Sequence, residues 1–225
     1  MNTLSTGAQI ELDLLARPTF PQLRSGPRLA KRLLDLVVAL PAVTLLLPFW
    51  LLLMIWIKRD SRGPVFFRQP RVGRGGRLFR IFKFRTMIVE AEQQGAQLTV
   101  GADERITRCG YWLRRYKLDE LPQLLNVISG EMSLVGPRPE VPRYVDSYSV
   151  AERAILALTP GITSSASLRF RNESTTLAQQ SEPEQFYLLE VLPAKIHTDL
   201  AYAQRATWLS DLSLIAQTLF QVIRS

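Results

Sequence analysis

Residues Leu33 to Ile57 read LLDLVVALPAVTLLLPFWLLLMIWI, 25 positions that carry one charge, Asp35. A run this long and this apolar marks a membrane-embedded segment. As one helix it would reach roughly 37 Å at 1.5 Å per residue, enough to cross a hydrocarbon core of about 30 Å. It does not read as a secretory signal, because no small-residue cleavage site follows it.

The flanks bear on how it sits. Arg24, Arg28, Lys31 and Arg32 precede it, and Lys58, Arg59, Arg62 and Arg68 follow it. Lys and Arg beside a membrane segment stay on the cytoplasmic side, so both ends are expected on one side. Pro41 and Pro48 interrupt the run, each removing a backbone donor and able to kink the helix. Two placements follow: a tilted span with a proline kink, or a helix that dips into the bilayer and returns. The matched flanks favour the return.

The chain therefore divides into three parts. Residues 1–27 contain Pro18, Pro21, Gly26 and Pro27 with no sustained period and are expected to be a flexible tail. Residues 28–58 form the embedded helix, and 59–225 a cytoplasmic domain large enough for one core. The net charge of +8 favours anionic partners: anionic lipid, nucleic acid or phosphorylated substrates. From Lys58 to Arg85 there are ten Lys or Arg against one acid, Asp60, and most of these are expected to face lipid headgroups. The single cysteine, Cys109, rules out an internal disulfide and reads as a small apolar filler. The single histidine, His197, cannot build a multi-His site, so any metal would be held by carboxylates and would be Mg²⁺ or Mn²⁺.

Local patterns predict an α-rich α/β fold of short strands and amphipathic helices. Alternation around Gly73, Gly75 and Gly76 predicts a hairpin, with Leu78, Arg80, Phe82 and Phe84 on one face. A helix is predicted over 105–116. Another is predicted to open at Asp119, with Pro122 in its first turn, and to stop at Gly130. A short strand follows at 132–135. Ser149 with Glu152, and Ser181 with Glu184, read as capping boxes. The stretch Asp211 to Ile223 places Leu212, Ile215, Leu219 and Val222 on one face, toward the core or the bilayer surface. No regular strand–helix alternation occurs, so a doubly wound sheet is not expected.

Asp119 and Glu120, at a predicted helix start, would ordinarily serve as a cap. Their company changes the reading. Arg114, Arg115 and Lys117 precede the pair, and Arg138 follows inside Gly136-Pro137-Arg138-Pro139. Prolines on both sides stiffen the loop, and arginine suits bidentate phosphate contact. Carboxylates, a divalent cation and several arginines form a phosphoryl-transfer set.

The strings KRLLDLVVALPAVTLLLPFW, FKFRTM, LRRYKLDELPQLLNVISGEMSLVGPRP and TPGIT resemble the bacterial sugar transferases, from about Lys31 to the C-terminus. These are the monotopic phosphoglycosyl transferases that start polysaccharide and glycan assembly on undecaprenyl phosphate. The resemblance implies a ping-pong reaction. Asp119 would attack the β-phosphate of a UDP-sugar, giving an aspartyl-phosphosugar enzyme and UMP, and undecaprenyl phosphate would then take the phosphosugar. Glu120 would act as a base or order a Mg²⁺ site held by Asp119 and Glu120. Lys83, Arg85, Arg114, Arg138 and Arg171 would bind phosphates, and Asp199, matched together with Tyr202, would be a further substrate-side residue.

The family's embedded helix is re-entrant and broken at a Ser-Pro pair. Here Leu47 precedes Pro48, and Pro41 supplies a second breaking point. After Thr163 this chain has SSASLRFRN where many members have Gly-Trp-Ala-Gln and Asn-Gly-Arg-Asn; only Arg171-Asn172 is kept. The implied setting is the cytoplasmic face of the bacterial inner membrane, in exopolysaccharide or lipopolysaccharide biosynthesis. The implied partners are a UDP-sugar, undecaprenyl phosphate and anionic lipids, with room for a homodimer and no nucleic acid. A rival reading is a membrane-tethered basic protein that binds anionic lipid or nucleic acid without catalysis. It gives no reason for a proline-framed Arg138 beside an acidic pair.

Overall fold

A computed structural model describes residues 28–91 and 103–224. The expected tail at 1–27 lies outside the described residues, as does most of the polar stretch after Ile88. The apolar run forms one helix, α1 (Arg28–Asp60), which continues through Pro41 and Pro48. The two-armed hairpin expected from those prolines is not seen as a break; each lost backbone donor is accommodated within the helix. Thr44, one turn before Pro48, donates from Oγ1 to the Leu40 carbonyl at 3.0 Å, a back-bond that tends to bend helices.

Both ends of α1 dock onto the same body. Near its start, Lys31 pairs with Asp211 at 2.6 Å, and Arg32 donates to the carbonyls of Val127 and Ile128. Asp35, the one charge of the run, is buried and accepts from Ser133 Oγ and Leu134 N, both at 3.0 Å. Near its end, Trp50 meets Phe84 edge-on, and Asp60 accepts from the Cys109 amide at 2.9 Å. Between these grips Leu40, Leu45, Leu47 and Phe49 are exposed.

The predicted hairpin is present. Strands β1 (Phe66–Val72) and β2 (Leu78–Phe84) pair antiparallel, with Gly75 and Gly76 at φ 67° and 76° in the turn. Phe79 and Ile81 point inward as alternation requires. Phe84 departs from it: predicted on the face of exposed Leu78 and Arg80, it is buried under Trp50 and stacked on Phe66 at 5.5 Å, because α1 covers that end of the sheet.

The chain continues through α2 (Arg108–Arg115), capped by Thr107, and a 3-10 turn at Leu118–Glu120. It then forms α3 (Gln123–Ser129), which stops at Gly130, φ 88°, as predicted. Asn126 on α3 is fully buried and closes the free edge of β2. Its Oδ1 accepts from Phe82 N at 2.9 Å, and its Nδ2 donates to Arg80 O at 3.0 Å and to Glu131 at 2.7 Å. The side-chain amide thus replaces a neighbouring strand.

Strand β3 (Ser133–Val135) pairs in parallel with β4 (Gly161–Thr163) across a crossover containing α4 (Pro142–Asp146) and a 3-10 turn, Glu152–Ala157. Both sheets among the described residues are two-stranded, so the doubly wound arrangement is absent there. Gly136 and Gly161 sit back to back: a Cβ on Gly136 would fall 2.3 Å from Thr159 O, and one on Gly161 would fall 2.1 Å from Gly136 N.

The rest is helical: α5 (Ser165–Arg169), α6 (Glu173–Ala178), α7 (Pro183–Phe186), a π turn at Tyr187–Val191, α8 (Leu192–Arg205) and α9 (Trp208–Ile223). The Ser149–Glu152 capping box forms, with 2.7 Å and 3.3 Å reciprocal bonds. The Ser181–Glu184 box does not; Glu182 precedes α7 without a side-chain cap. Of the two placements expected for the α9 stripe, the core-facing one is not seen for Leu212 and Leu219. Leu214 is buried while Leu212 and Leu219 are exposed, because Lys31 and the Tyr202 hydroxyl, at 2.6 Å each, draw Asp211 inward.

Replacing Asn126 by Ala leaves a buried strand N–H and C=O without partners. This is expected to remove about 2–4 kcal/mol of stability. The check is thermal unfolding of the detergent-solubilised chain; an unchanged midpoint would mean that water substitutes for the amide.

Candidate active site

The acidic pair lies on a tight turn rather than at a helix start. Lys117 adopts a left-handed conformation, φ 54°, unusual for a residue with a side chain. It redirects the chain as α2 ends, and Leu118–Glu120 then make a single 3-10 turn. Pro122 is the cap residue of α3, so Asp119 does not cap it, contrary to the sequence expectation. The helix opens at Gln123, which leaves the Asp119 carboxylate outside it.

Three elements converge on Glu120. Its Oε1 accepts from Lys83 Nζ of β2 at 2.7 Å and from Arg138 Nη2 at 2.6 Å; its Oε2 accepts from Arg138 Nη1 at 3.3 Å. Burial pushes the Glu120 carboxyl up, but Arg138 and Lys83 outweigh it and hold it well below the usual carboxylate range. Arg138 is correspondingly raised, chiefly by Glu120. The Lys83 ammonium is lowered, because burial exceeds the help it gets from Glu120.

Asp119 is the opposite case. It is 7% exposed and takes part in no hydrogen bond among the described residues, yet its oxygens are not sealed from solvent. Burial raises its pKa; Lys83 and Arg114 pull it down, and the neighbouring Glu120 pushes it back up. Two adjacent carboxylates are thus driven apart: one a fixed anion clasped by cations, the other a less stabilised anion with open lone pairs. Such divergence separates a structural or acid–base role from a nucleophilic one.

Arg114 joins from α2. Its Nε donates to Thr86 Oγ1 at 2.8 Å. Thr86 is itself fixed, its carbonyl accepting from Thr107 N at 3.0 Å and lying so close to Gly110 that a Cβ there would sit 2.0 Å away. The Nη groups of Arg114 make no hydrogen bond among the described residues, so they are available to a phosphate. Burial lowers the Arg114 pKa, and Asp119 partly restores it. Thr86 was not singled out by sequence; its place inside the FRTM string was the available signal.

One expectation needs correcting. Arg85 is not at the site: its guanidinium donates to the Ser61 and Arg62 carbonyls at 2.7 and 2.8 Å and to Ser61 Oγ at 2.9 Å. It clasps the end of α1, and its Nη donors are committed there. Asp199 lines a small cleft behind the Arg138 loop, but its Oδ1 accepts from Ala166 N at 2.8 Å, tying α8 to the start of α5. That bond gives Asp199 a part in holding α8 to α5. Arg171 lies on the exposed turn between α5 and α6. Cys109 is buried as expected, and burial pushes its thiol up to about 11.

No cluster of three or more His, Cys, Asp or Glu that could hold a metal occurs among the described residues. Asp119 with open oxygens, and Glu120 through Oε2, nevertheless fit an octahedral ion that arrives with a diphosphate. Mg²⁺ commonly takes one or two carboxylates and completes its shell with phosphate oxygens and water.

Residues 26–225 match the family model described as bacterial sugar transferase, and the chain belongs to that family. It is 37% identical over 209 residues to the UDP-glucose:undecaprenyl-phosphate glucose-1-phosphate transferase of Caulobacter vibrioides, covering 92% of this chain and 74% of that protein. It is 44% identical over 142 residues to the UDP-N-acetylgalactosamine-undecaprenyl-phosphate N-acetylgalactosaminephosphotransferase of Aeromonas hydrophila, covering 62% of this chain and 34% of that one. A Xanthomonas campestris protein with the same name as the Caulobacter enzyme is 39% identical over 199 residues, 86% of this chain and 39% of its own length. The chain thus spans about a third of the Aeromonas relative and two fifths of the Xanthomonas one.

A raised Asp119 pKa makes its ionised form a burden on the fold. The stability this group contributes is complete below its unfolded pKa, near 3.8, and is lost as pH rises through the higher folded value. Asp119→Asn is therefore expected to melt above the wild type at neutral pH, with the gap closing toward pH 4. The same variant is expected to lose at least about 1,000-fold in turnover if Asp119 is the nucleophile. Melting curves across pH and a UMP-release assay read the two effects.

Proposed function

We propose that this chain transfers a sugar 1-phosphate from a UDP-sugar to undecaprenyl phosphate, giving undecaprenyl-diphosphate-sugar and UMP. The observation that carries the reading is the unpaired Asp119 carboxylate beside a Glu120 held by Lys83 and Arg138. In the first half-reaction an Asp119 oxygen bonds to the β-phosphorus, and the bond from that phosphorus to the bridging oxygen breaks; UMP leaves. In the second, an oxygen of undecaprenyl phosphate bonds to the same phosphorus and the Asp119 carboxylate is released.

The chain's residues have separable tasks. Arg138 and the free end of Arg114 hold phosphate oxygens, and Lys83 keeps Glu120 ionised and in place. Glu120, held as an anion, presents Arg138 in one orientation. Mg²⁺, held by Asp119 and Glu120, would supply charge neutralisation on the diphosphate when bound. The names of the Caulobacter and Aeromonas relatives, a glucose and an N-acetylgalactosamine phosphate transferase, support the donor class and leave the sugar open.

The same reading places the chain on the cytoplasmic face of the bacterial inner membrane, as the initiating step of exopolysaccharide or lipopolysaccharide assembly. Its support is the docking of both ends of α1 on one body, with an exposed apolar middle. A helix that crossed would carry one of its two polar grips, Asp35 or Asp60, to the far side. The exposed Trp208, Leu209, Leu219 and Phe220 of α9 and Tyr111 and Trp112 of α2 suit an interface between water and lipid.

The test is a donor panel. Purified chain without acceptor is expected to release about one equivalent of UMP from its correct UDP-sugar, the burst of a covalent intermediate, and to turn over only with undecaprenyl phosphate. EDTA should stop both and Mg²⁺ restore them. No UMP from any donor would sink the proposal. For topology, single cysteines before Arg28 and after Arg62, in a Cys109→Ser background, are expected to label from the cytoplasmic side alone; labelling from opposite sides would establish a span.

A further inference from the structure

Behind the Arg138 loop lies a buried set of charges that the transfer reaction does not use. Glu140 directly follows Pro139 and is 8% exposed. Its Oε1 accepts from the Tyr187 hydroxyl at 2.7 Å and lies 4.0 Å from Lys195 Nζ; its Oε2 lies 3.7 Å from Arg71 Nη1. Lys195 Nζ continues to Glu173 at 2.9 Å and to the Tyr187 hydroxyl at 3.4 Å. Four charged side chains from β1, the Arg138 loop, α6 and α8 are thereby joined in one chain of contacts.

Stability is a poor reason for such a set. Burying ions removes their hydration, and apolar side chains of similar volume generally serve a core as well or better. The surroundings here are already apolar, among them Val141, Val145, Ile155 and Leu192. What the charges add is direction. They act on the backbone next to Arg138: Arg71 Nη1 also donates to Pro139 O at 3.1 Å, and Val72 N donates to Glu140 O at 2.9 Å. From the other side β4 holds the loop, with Gly161 N donating to Pro137 O and Gly136 N to Thr163 O, each at 2.9 Å. Arg138 therefore stands between two anchored dipeptides. At the far end of the network, Glu173 opens α6 immediately after Arg171 and Asn172.

We propose that the ion-pair network Arg71–Glu140–Lys195–Glu173 positions Arg138 against the donor diphosphate and couples it to the Arg171–Asn172 turn. The proposal rests on the transferase reading for its substrate, and on the geometry alone for the positioning. Glu140 and Lys195 are positioning residues: they act through the loop backbone and touch no reacting atom. A shift of α6 is carried through Lys195 and Glu140 to the arginine that holds phosphate, so both move as one unit. Misplacing a phosphate-binding group by about 1 Å can cost on the order of 100-fold in rate.

The test is a double-mutant cycle on UMP release. Lys195→Met is expected to lower kcat/KM for the UDP-sugar by about tenfold or more, and Lys195→Arg to recover it to within about threefold. In an Arg138→Ala background, Lys195→Met should change kcat/KM by less than about twofold, because the residue it positions is gone. Full additivity would overturn the proposal, since a general loss of folded enzyme acts in either background. Hydrogen exchange gives a reading independent of activity. In Lys195→Met the loop-holding amides of Val72, Gly136 and Gly161 should exchange faster while α1 and α9 keep their protection; unchanged exchange there, or uniform loss everywhere, would overturn it. A wild-type chain that releases no UMP would defeat the transferase reading, and the exchange experiment would still decide the positioning.

Discussion

The Glu120 carboxylate, gripped by Lys83 and Arg138, is the interaction on which the candidate site depends. It fastens together the hairpin, the 3-10 turn and the proline-framed loop, which share no sheet and no helix. Removing one partner from a buried ion pair costs about 3–5 kcal/mol, because the other charge is left stranded. The grip also explains its neighbour. With the nearest cations committed to Glu120, Asp119 stays without a hydrogen bond among the described residues, and its anion remains less stabilised than an exposed one. Reactivity at one position is thus maintained by satisfaction at the next.

The long apolar helix α1 follows a similar division. Its polar contacts lie near its ends, through Lys31, Arg32, Asp35 and Asp60, while its middle offers apolar side chains to the surroundings. Asp35 would be costly in lipid, yet here it is sheltered by Ser133 and the Leu134 amide at the foot of β3. Strand β3 leads directly into the Arg138 loop. The long apolar helix and Arg138 are therefore separated by a few residues of rigid chain.

Much of this was legible in the sequence, and what was not shares a cause. The apolar run, the glycine-turned hairpin and the stop at Gly130 are local patterns. Lys83, Asp119, Glu120, Arg114 and Arg138 were reachable through motif resemblance, and the structure gathers them. Arg85 and Phe84 were misread because their partners are distant in sequence: Ser61 and Arg62 for the first, Trp50 for the second. No period or spacing announces such a partner. Asp119 was expected to cap a helix, and the left-handed Lys117 with the following Pro122 moved that helix start beyond it. Asn126 carries no signal of its role in the sequence, because that role exists only once β2 lies alongside.

The back-to-back glycines at 136 and 161 carry a consequence for how this scaffold can be diversified. With backbone pressed on backbone, neither position admits even a methyl group, and the two loops leaving the small parallel sheet are locked at a fixed separation. A change of shape next to this sheet therefore has to come from side chains rather than from these two backbones.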